Sequence, residues 1–299
     1  MIIQLTFYVF YSLVLKLEEN LVSPLQPKQY YEYKIFKIRN RNNSIWIKPN
    51  DNWEEIQLSI NSNRKLKFYF PFFGHMIQHV RMLYSGIISL SDFDHLGNIH
   101  ESQYIAPMMA DFAYEDPKCK GFVSDNGKMA VFTWTNCKTR AGFENQRFNF
   151  QLQIYPSGKI NFVYLNITGN FPEKLVDMAH PIIIGLSDAY VIEHTIGQLT
   201  TNQIVTYHKI DLKDKLVAEL KDGHKEIVVG HNEIVVNFKP MKTCNQFRTC
   251  WECTTHGTKF NCIWCSGLKR CSDNGIDRNY QVHNHNFIHY FIYNTKVRH

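Results

Sequence analysis

The run CNQFRTCWECTTHGTKFNCIWCSGLKRC, residues 244–271, carries six of the chain's eight cysteines: Cys244, Cys250, Cys253, Cys262, Cys265 and Cys271. Their spacing is C-x5-C-x2-C-x8-C-x2-C-x5-C. Two chemistries fit it. The CxxC pairs Cys250/Cys253 and Cys262/Cys265 would supply four thiolates to a tetrahedral structural zinc. Disulfides would instead staple a secreted module too short to build a core. Its apolar residues are only Phe247, Trp251, Phe260, Ile263, Trp264 and Leu268. The gap of eight residues between the pairs is shorter than the roughly 12 to 20 of common zinc modules. Zinc would also leave Cys244 and Cys271 over, one on each side of the pairs. The weight falls on disulfides, with zinc as the alternative.

The N-terminus points the same way. Residues 1–17, MIIQLTFYVFYSLVLKL, are apolar from Ile2 to Leu15 with Gln4, Thr6 and Ser12 interrupting. That is the length of a signal-peptide apolar region and short of a membrane span. No Lys or Arg precedes the run and no A-x-A site follows it. A first core strand, or a start codon placed too far downstream, are the competing readings. Residues 1–20 are thus a candidate signal peptide. The sequons Asn42-Asn43-Ser44 and Asn166-Ile167-Thr168 make Asn42 and Asn166 candidate glycosylation sites. These features together favour the secretory pathway and oxidised cysteines.

With 299 residues and 44% apolar content, the chain can bury a sizeable core in one or two domains. Its net charge of +6 is scattered over Arg39, Arg41, Arg64, Lys65, Lys67, Lys269 and Arg270. A nucleic-acid partner would need one continuous basic face with stacking aromatics, so the expectation is no nucleic acid. Weak affinity for acidic polysaccharide or an anionic membrane is compatible with the charge. The late apolar run FIHYFIY, residues 287–293, is too short to cross a bilayer.

Between these ends the chain reads as β. Residues 24–60 are polar and irregular apart from the alternating YYEYKIFKI, residues 30–38. KLKFYFPFFGH alternates and then breaks at Pro71 and Gly74, as an edge strand or bulge would. VRMLYSGIISLS reads as a strand pair around Gly86. GFVSDNGKMAVFTW is a hairpin turning on Asp125-Asn126-Gly127. Cys119 and Cys137 lie just outside its arms, which predicts a Cys119–Cys137 disulfide rather than two unrelated thiols. FNFQLQIYPSGKINFVYLNI is a second hairpin, with Phe148, Phe150, Leu152 and Ile154 on one face. If its return strand continued through Asn166, that side chain would point inward with Ile160, Phe162 and Tyr164. If it ended near Leu165, the sequon would be free. PIIIGLSDAY and IVTYHKIDL are further strands, and residues 212–223 read as one short helix with Leu212, Leu216 and Leu220 in line. EIVVGHNEIVVNF reads as a third hairpin. The chain is therefore mainly β, with a first, antiparallel domain at 28–238 and a cysteine module at 244–281.

The cysteine run, with Ile263-Trp264-Cys265 at its centre, resembles a PSI (plexin–semaphorin–integrin) domain. The segments YYEYKIF, FPFFGH, QYIAPMMADF, DNGKMAVFTW, FQLQIYPSGKINFVY, GLSDAY and YHKIDL resemble, in type and order, the plexin domain-containing (tumour endothelial marker 7-like) proteins. The resemblance spans about residues 30–281. It implies a β-sandwich-like, nidogen-type domain followed by a small disulfide-rich module. It also implies Cys244–Cys262 and Cys253–Cys271 disulfides, with Trp264 packed structurally against them. A full PSI domain has two further cysteines for the second and fifth positions, here Cys250 and Cys265. None follows Cys271, which leaves those two unpaired or uncertain, and His283, His285 and His289 would give them metal co-ligands. Residues 282–299 read as an atypical tail from an alternative exon, intron read-through or a wrong gene prediction. Relatives continue into a transmembrane helix; this chain, if complete as written, would be secreted.

The function this implies is a non-enzymatic cell-surface or extracellular receptor or adhesion protein, without cofactor or metal, binding a secreted or matrix protein. The alternatives are an intracellular zinc-binding scaffold using the CxxC pairs, or a secreted hydrolase drawing on Asp92, Asp94, Asp111, His75, His180 or Asp188. Neither G-x-S-x-G nor H-E-x-x-H occurs to support the hydrolase.

Overall fold

The structure, a computed structural model, describes residues 30–57, 62–90, 102–140, 147–166, 182–196, 199–222, 232–255, 259–267 and 269–273. The candidate signal peptide and the tail from 282 lie outside them. In chain order the first strands are β1 (Tyr31–Ile38), β2 (Glu54–Ile56), β3 (Ser62–Phe72), β4 (His75–Leu83), β5 (Ile87–Ser89) and β6 (Tyr104–Met109). They are followed by β7 (Lys120–Asp125), β8 (Ala130–Cys137), β9 (Phe148–Ile154), β10 (Ile160–Leu165), β11 (Ile183–Ile196) and β12 (Leu199–Asp211). Helix α1 (Lys213–Asp222) and β13 (Glu233–Pro240) complete the first unit. The cysteine module adds α2 (Cys250–Thr255), β14 (Cys262–Cys265) and β15 (Arg270–Asp273).

Two antiparallel sheets face each other, one ordered β1-β13-β10-β9-β8-β7-β2 and the other β12-β11-β6-β5-β4-β3. The alternation in the sequence is what makes this possible. Phe148, Phe150, Leu152 and Ile154 of β9, with Ile160, Phe162 and Tyr164 of β10, are buried in the cluster that also holds Phe70, Phe72, Ile105 and Leu186 of the opposite sheet. Trp134 stacks on Phe150 at 5.0 Å, and Phe150 stacks on Phe112 at 5.6 Å. Each such ring contributes roughly 1.5–3 kcal/mol by leaving water; Trp134 and Phe150 stand opposite each other on β8 and β9, so their stack adds cohesion within the seven-stranded sheet.

The turns follow local chemistry. In the β7–β8 hairpin the Asp125 carboxylate accepts from Gly127 N, and the Asn126 side chain accepts from Lys128 N and Met129 N. These side-chain bonds mimic a backbone turn. The β3–β4 connection uses Phe73 and Gly74, both with positive φ (48° and 85°), the requirement of a type I′ turn.

Side chains from other elements reach two of the sheet edges. β3 is an edge strand, and its Lys67 N–H donates to the Asp125 carboxylate of the opposite sheet at 2.7 Å. Arg64 pairs with Glu54 across the same seam at 2.7 Å. At the other end α1 buries Leu216, while its Lys215 meets the Tyr33 hydroxyl and ring and its Glu219 pairs with Lys37.

One sequence expectation is corrected. EIVVGHNEIVVNF does not fold as a local hairpin on β13, because β1 and β10 occupy both sides of that strand. Long-range pairing on both sides of the strand outweighs the local turn signal. The first EIVV copy lies outside the described residues. No helix among the described residues is long and apolar enough to cross a membrane.

Candidate interaction site at the junction of the two modules

The cysteine module organises itself around two disulfides, Cys244–Cys262 and Cys253–Cys271. Sulfur atoms of Cys244, Cys262 and Cys271 lie within 4.8 Å of one another, so the two bridges are neighbours. Phe247 and Phe260 bury against them, and Trp264 packs half-buried on the same cluster. The disulfides consume one thiol from each CxxC pair, so the four-thiolate zinc arrangement and the observed bonding are mutually exclusive. Cys250 carries an exposed free thiol; the side chain of Cys265 lies outside the described residues.

Helix α2 begins with a capping box. The Thr249 hydroxyl accepts from Glu252 N, and the Glu252 carboxylate accepts from Thr249 N and Arg248 N. This start directs Cys253 inward to its disulfide and leaves Cys250 and Trp251 on the surface. Trp251 is 68% exposed, and Ile263 on β14 is 40% exposed. Sequence reasoning counted both among the module's few apolar residues without placing them. The capping box Thr249-x-x-Glu252 was the signal that places Trp251 outside.

The module is seated on the sandwich through specific contacts. Asn245 donates its side-chain amide to Gly74 O at 2.7 Å and lies 3.5 Å from His75 Nδ1. Tyr30 bridges the two units, its ring 4.8 Å from Phe260, 5.2 Å from Phe73 and 4.9 Å from His208. Tyr30 O accepts from Met241 N.

Elsewhere, a Cys119–Cys137 disulfide joins the outer ends of the β7–β8 hairpin. Beside it is an ion-pair cluster that the sequence did not reveal. Arg140 grips Glu115 through two nitrogens and Asp111 at 2.7 Å, and Arg147 pairs with Asp116 at 2.8 Å. Glu115, Asp116, Arg140 and Arg147, with Lys118 and Lys138, line a cleft of about 530 Å³. The Arg140 guanidinium holds the Glu115 carboxyl below its usual range. The Lys118 N–H and then Arg147 do the same for Asp116.

Three of the hydrolase candidates lie among the described residues. Asp111 is committed to Arg140, His75 is buried at the module junction, and Asp188 is buried in β11 opposite His208. Asp92, Asp94 and His180 lie outside the described residues. Asn42 is exposed within a 3-10 turn, Arg41–Asn43. β10 ends at Leu165, and Asn166 is exposed with a left-handed φ of 50°. Asn166 exchanges two hydrogen bonds with the Asn232 backbone.

A NIDO-related family model matches residues 54–213, just over half of the chain. The chain belongs to the NIDO-related family. A plexin-repeat (PSI) model matches residues 243–289, so the NIDO-related domain is followed directly by a PSI module. No solved structure matches the chain. The NIDO-related match stops short of β1 and β13, yet these two strands pair with each other along the whole of β1 and complete the seven-stranded sheet. The PSI match runs past residue 281, the limit read from the sequence. Both domain types are typical of non-enzymatic extracellular proteins.

Proposed function

We propose that this chain is a non-enzymatic cell-surface or extracellular receptor or adhesion protein of the plexin domain-containing kind, binding a secreted or matrix protein. The observation that carries the reading is the seating of a PSI module on a NIDO-related sandwich through Tyr30, Gly74 and Asn245, which gives both modules one fixed orientation. An exposed Trp251 on the PSI module is the residue type that anchors protein interfaces. The bonded cysteines suit an oxidising compartment. Asn42 and Asn166 are the glycosylation sites of this reading, and residues 1–20 its signal peptide.

The test is expression in secretory cells with the native N-terminus. Chain recovered from medium or membrane should carry the linked peptide pairs 244/262 and 253/271 and no zinc. It should be retained on an extracellular-matrix preparation, with Trp251→Ser reducing retention about tenfold. Cytosolic chain with free thiols and bound zinc overturns the proposal in favour of a zinc scaffold. Oxidised chain that no matrix preparation or cell surface retains overturns the binding role.

A further inference from the structure

The outer face of the seven-stranded sheet carries a buried polar ladder that reads main chain. Gln151, Gln153, Asn161 and Glu233 point away from the sandwich core and are nevertheless at most 2% exposed. Asn161 stands opposite Gln153 on one side and Asn237 on the other. Their amides form a relay: Asn237 donates to Asn161 at 2.6 Å, Asn161 to Gln153 at 3.0 Å, and Gln153 to the carbonyl of Ile45 at 2.8 Å. Gln151 clasps the Ile47 peptide group from both sides, donating to its carbonyl at 2.5 Å and accepting from its N–H at 3.2 Å. The Glu233 carboxylate accepts from Ile45 N at 3.0 Å and from the Ser44 hydroxyl at 2.5 Å.

What these side chains hold is residues 44–47, a segment outside every strand. Among the described residues, no main-chain group bonds to the main chain of Ile45, Trp46 or Ile47; Trp46 N donates to the Ser44 hydroxyl. The three side chains are only half-buried. The hydrogen bonds the sheet makes to this segment therefore all go to its peptide groups and one hydroxyl. A strand paired at its edges cannot be exchanged without breaking a sheet, whereas a segment held by side chains alone can leave with the sheet intact. Its departure would open to solvent a row of amides and a carboxylate already spaced to engage an extended main chain, the pattern an incoming extended peptide would meet.

We propose that this ladder is a docking site for an extended polypeptide segment of a protein partner, a Ser or Thr followed by three residues of extended chain, and that Ser44–Ile47 occupies it in cis as a removable latch. The inference goes beyond the receptor reading and does not rest on it, since purified chain and a synthetic peptide suffice for the test.

The probe is a labelled peptide of residues 43–49, Asn-Ser-Ile-Trp-Ile-Lys-Pro. I45P/I47P removes the two N–H groups that Glu233 and Gln151 read, and leaves the ladder untouched. Peptide binding should be at least about tenfold tighter to this variant than to the unaltered chain, and should be lost again when Gln151→Leu is added. Equal binding to both chains, or none to a latch variant with a native disulfide map, overturns the proposal. Hydrogen exchange on the unaltered chain is independent of any variant's folding. The Ile45 and Ile47 amides should exchange at least about 100-fold faster than Val163 at the centre of the sheet. Exchange as slow as that of Val163 means the latch opens only by global unfolding, and the site is closed to partners.

Discussion

Asn245 Nδ2 donates to Gly74 O at 2.7 Å, and the position of a Cβ on Gly74 would lie 2.3 Å from Asn245 Oδ1. Only a glycine lets the β3–β4 turn come this close to the PSI module. It also relieves a φ of 85°, which side chains rarely adopt.

Gly74→Ala should therefore act twice, through strain in the turn and through displacement of Asn245. The expected cost is about 1–3 kcal/mol in thermal unfolding. Faster hydrogen exchange at Met241 and Phe247 would show that the junction has loosened. Unchanged exchange there, with lowered stability, would assign the whole effect to turn strain.

The Cys119–Cys137 bridge spans a sequence separation of 18. Replacing both cysteines with Ser should cost about 3 kcal/mol in denaturant unfolding, most of it from the freed unfolded chain. The Arg140 and Arg147 ion pairs beside it are exposed enough to contribute little by comparison.

Those ion pairs set a pH dependence. The folded-state values of Glu115 and Asp116 are lowered, so their contribution is present above the ordinary carboxylate value of about 4 and is lost as pH falls through the lower folded values. Arg147→Ala should flatten the acid limb of stability measured from about pH 5 downward. An unchanged limb would show that other carboxylates govern it.

Alkali acts through buried phenols. Burial raises the values of Tyr31, Tyr104 and Tyr164, and the Tyr164 hydroxyl donates to Pro107 O at 2.5 Å. Their stability is present below the ordinary value of about 10 and is lost as pH rises above it, because the unfolded chain ionises first. Tyr164→Phe should cost about 1 kcal/mol at pH 7. It should also reduce the steepness of unfolding above about pH 10, followed by circular dichroism.

The strands were legible where period and turn chemistry coincided. Asp125-Asn126-Gly127 between alternating arms, and Pro156-Ser157-Gly158 after Phe148–Ile154, mark hairpins because both signals are local. β13 was misread because its partners are distant: β1 pairs Tyr31 with Pro240, a relation no window of residues contains. The sandwich core was visible in the parity of Phe150 and Phe162. The polar parity was not informative in the same way, since Gln151 and Gln153 look solvated until their bonds to Ile47 and Ile45 are seen. At the junction, Gly74 was read as a strand break, and the close approach that requires it could not be seen without Asn245 opposite. Trp264 was placed against the disulfides by the PSI resemblance, whereas Trp251 becomes an exposed ring on the helix that starts at Thr249.

The pairing of β1 with β13 also governs timing. During synthesis the first described strand emerges some two hundred residues before its partner, Tyr31 waiting for Pro240. At about 5–20 residues per second, that is on the order of tens of seconds in which the side of the sheet that β13 will fill stands open. β1 passes most of that interval without a sheet neighbour, and once β10 has emerged, some seventy residues before β13, the nascent sandwich holds an unfilled slot between β1 and β10. Insertion of β13 closes it, immediately before the cysteines of the PSI module appear. Oxidation of that module is thus arranged to follow completion of the sheet on which it rests.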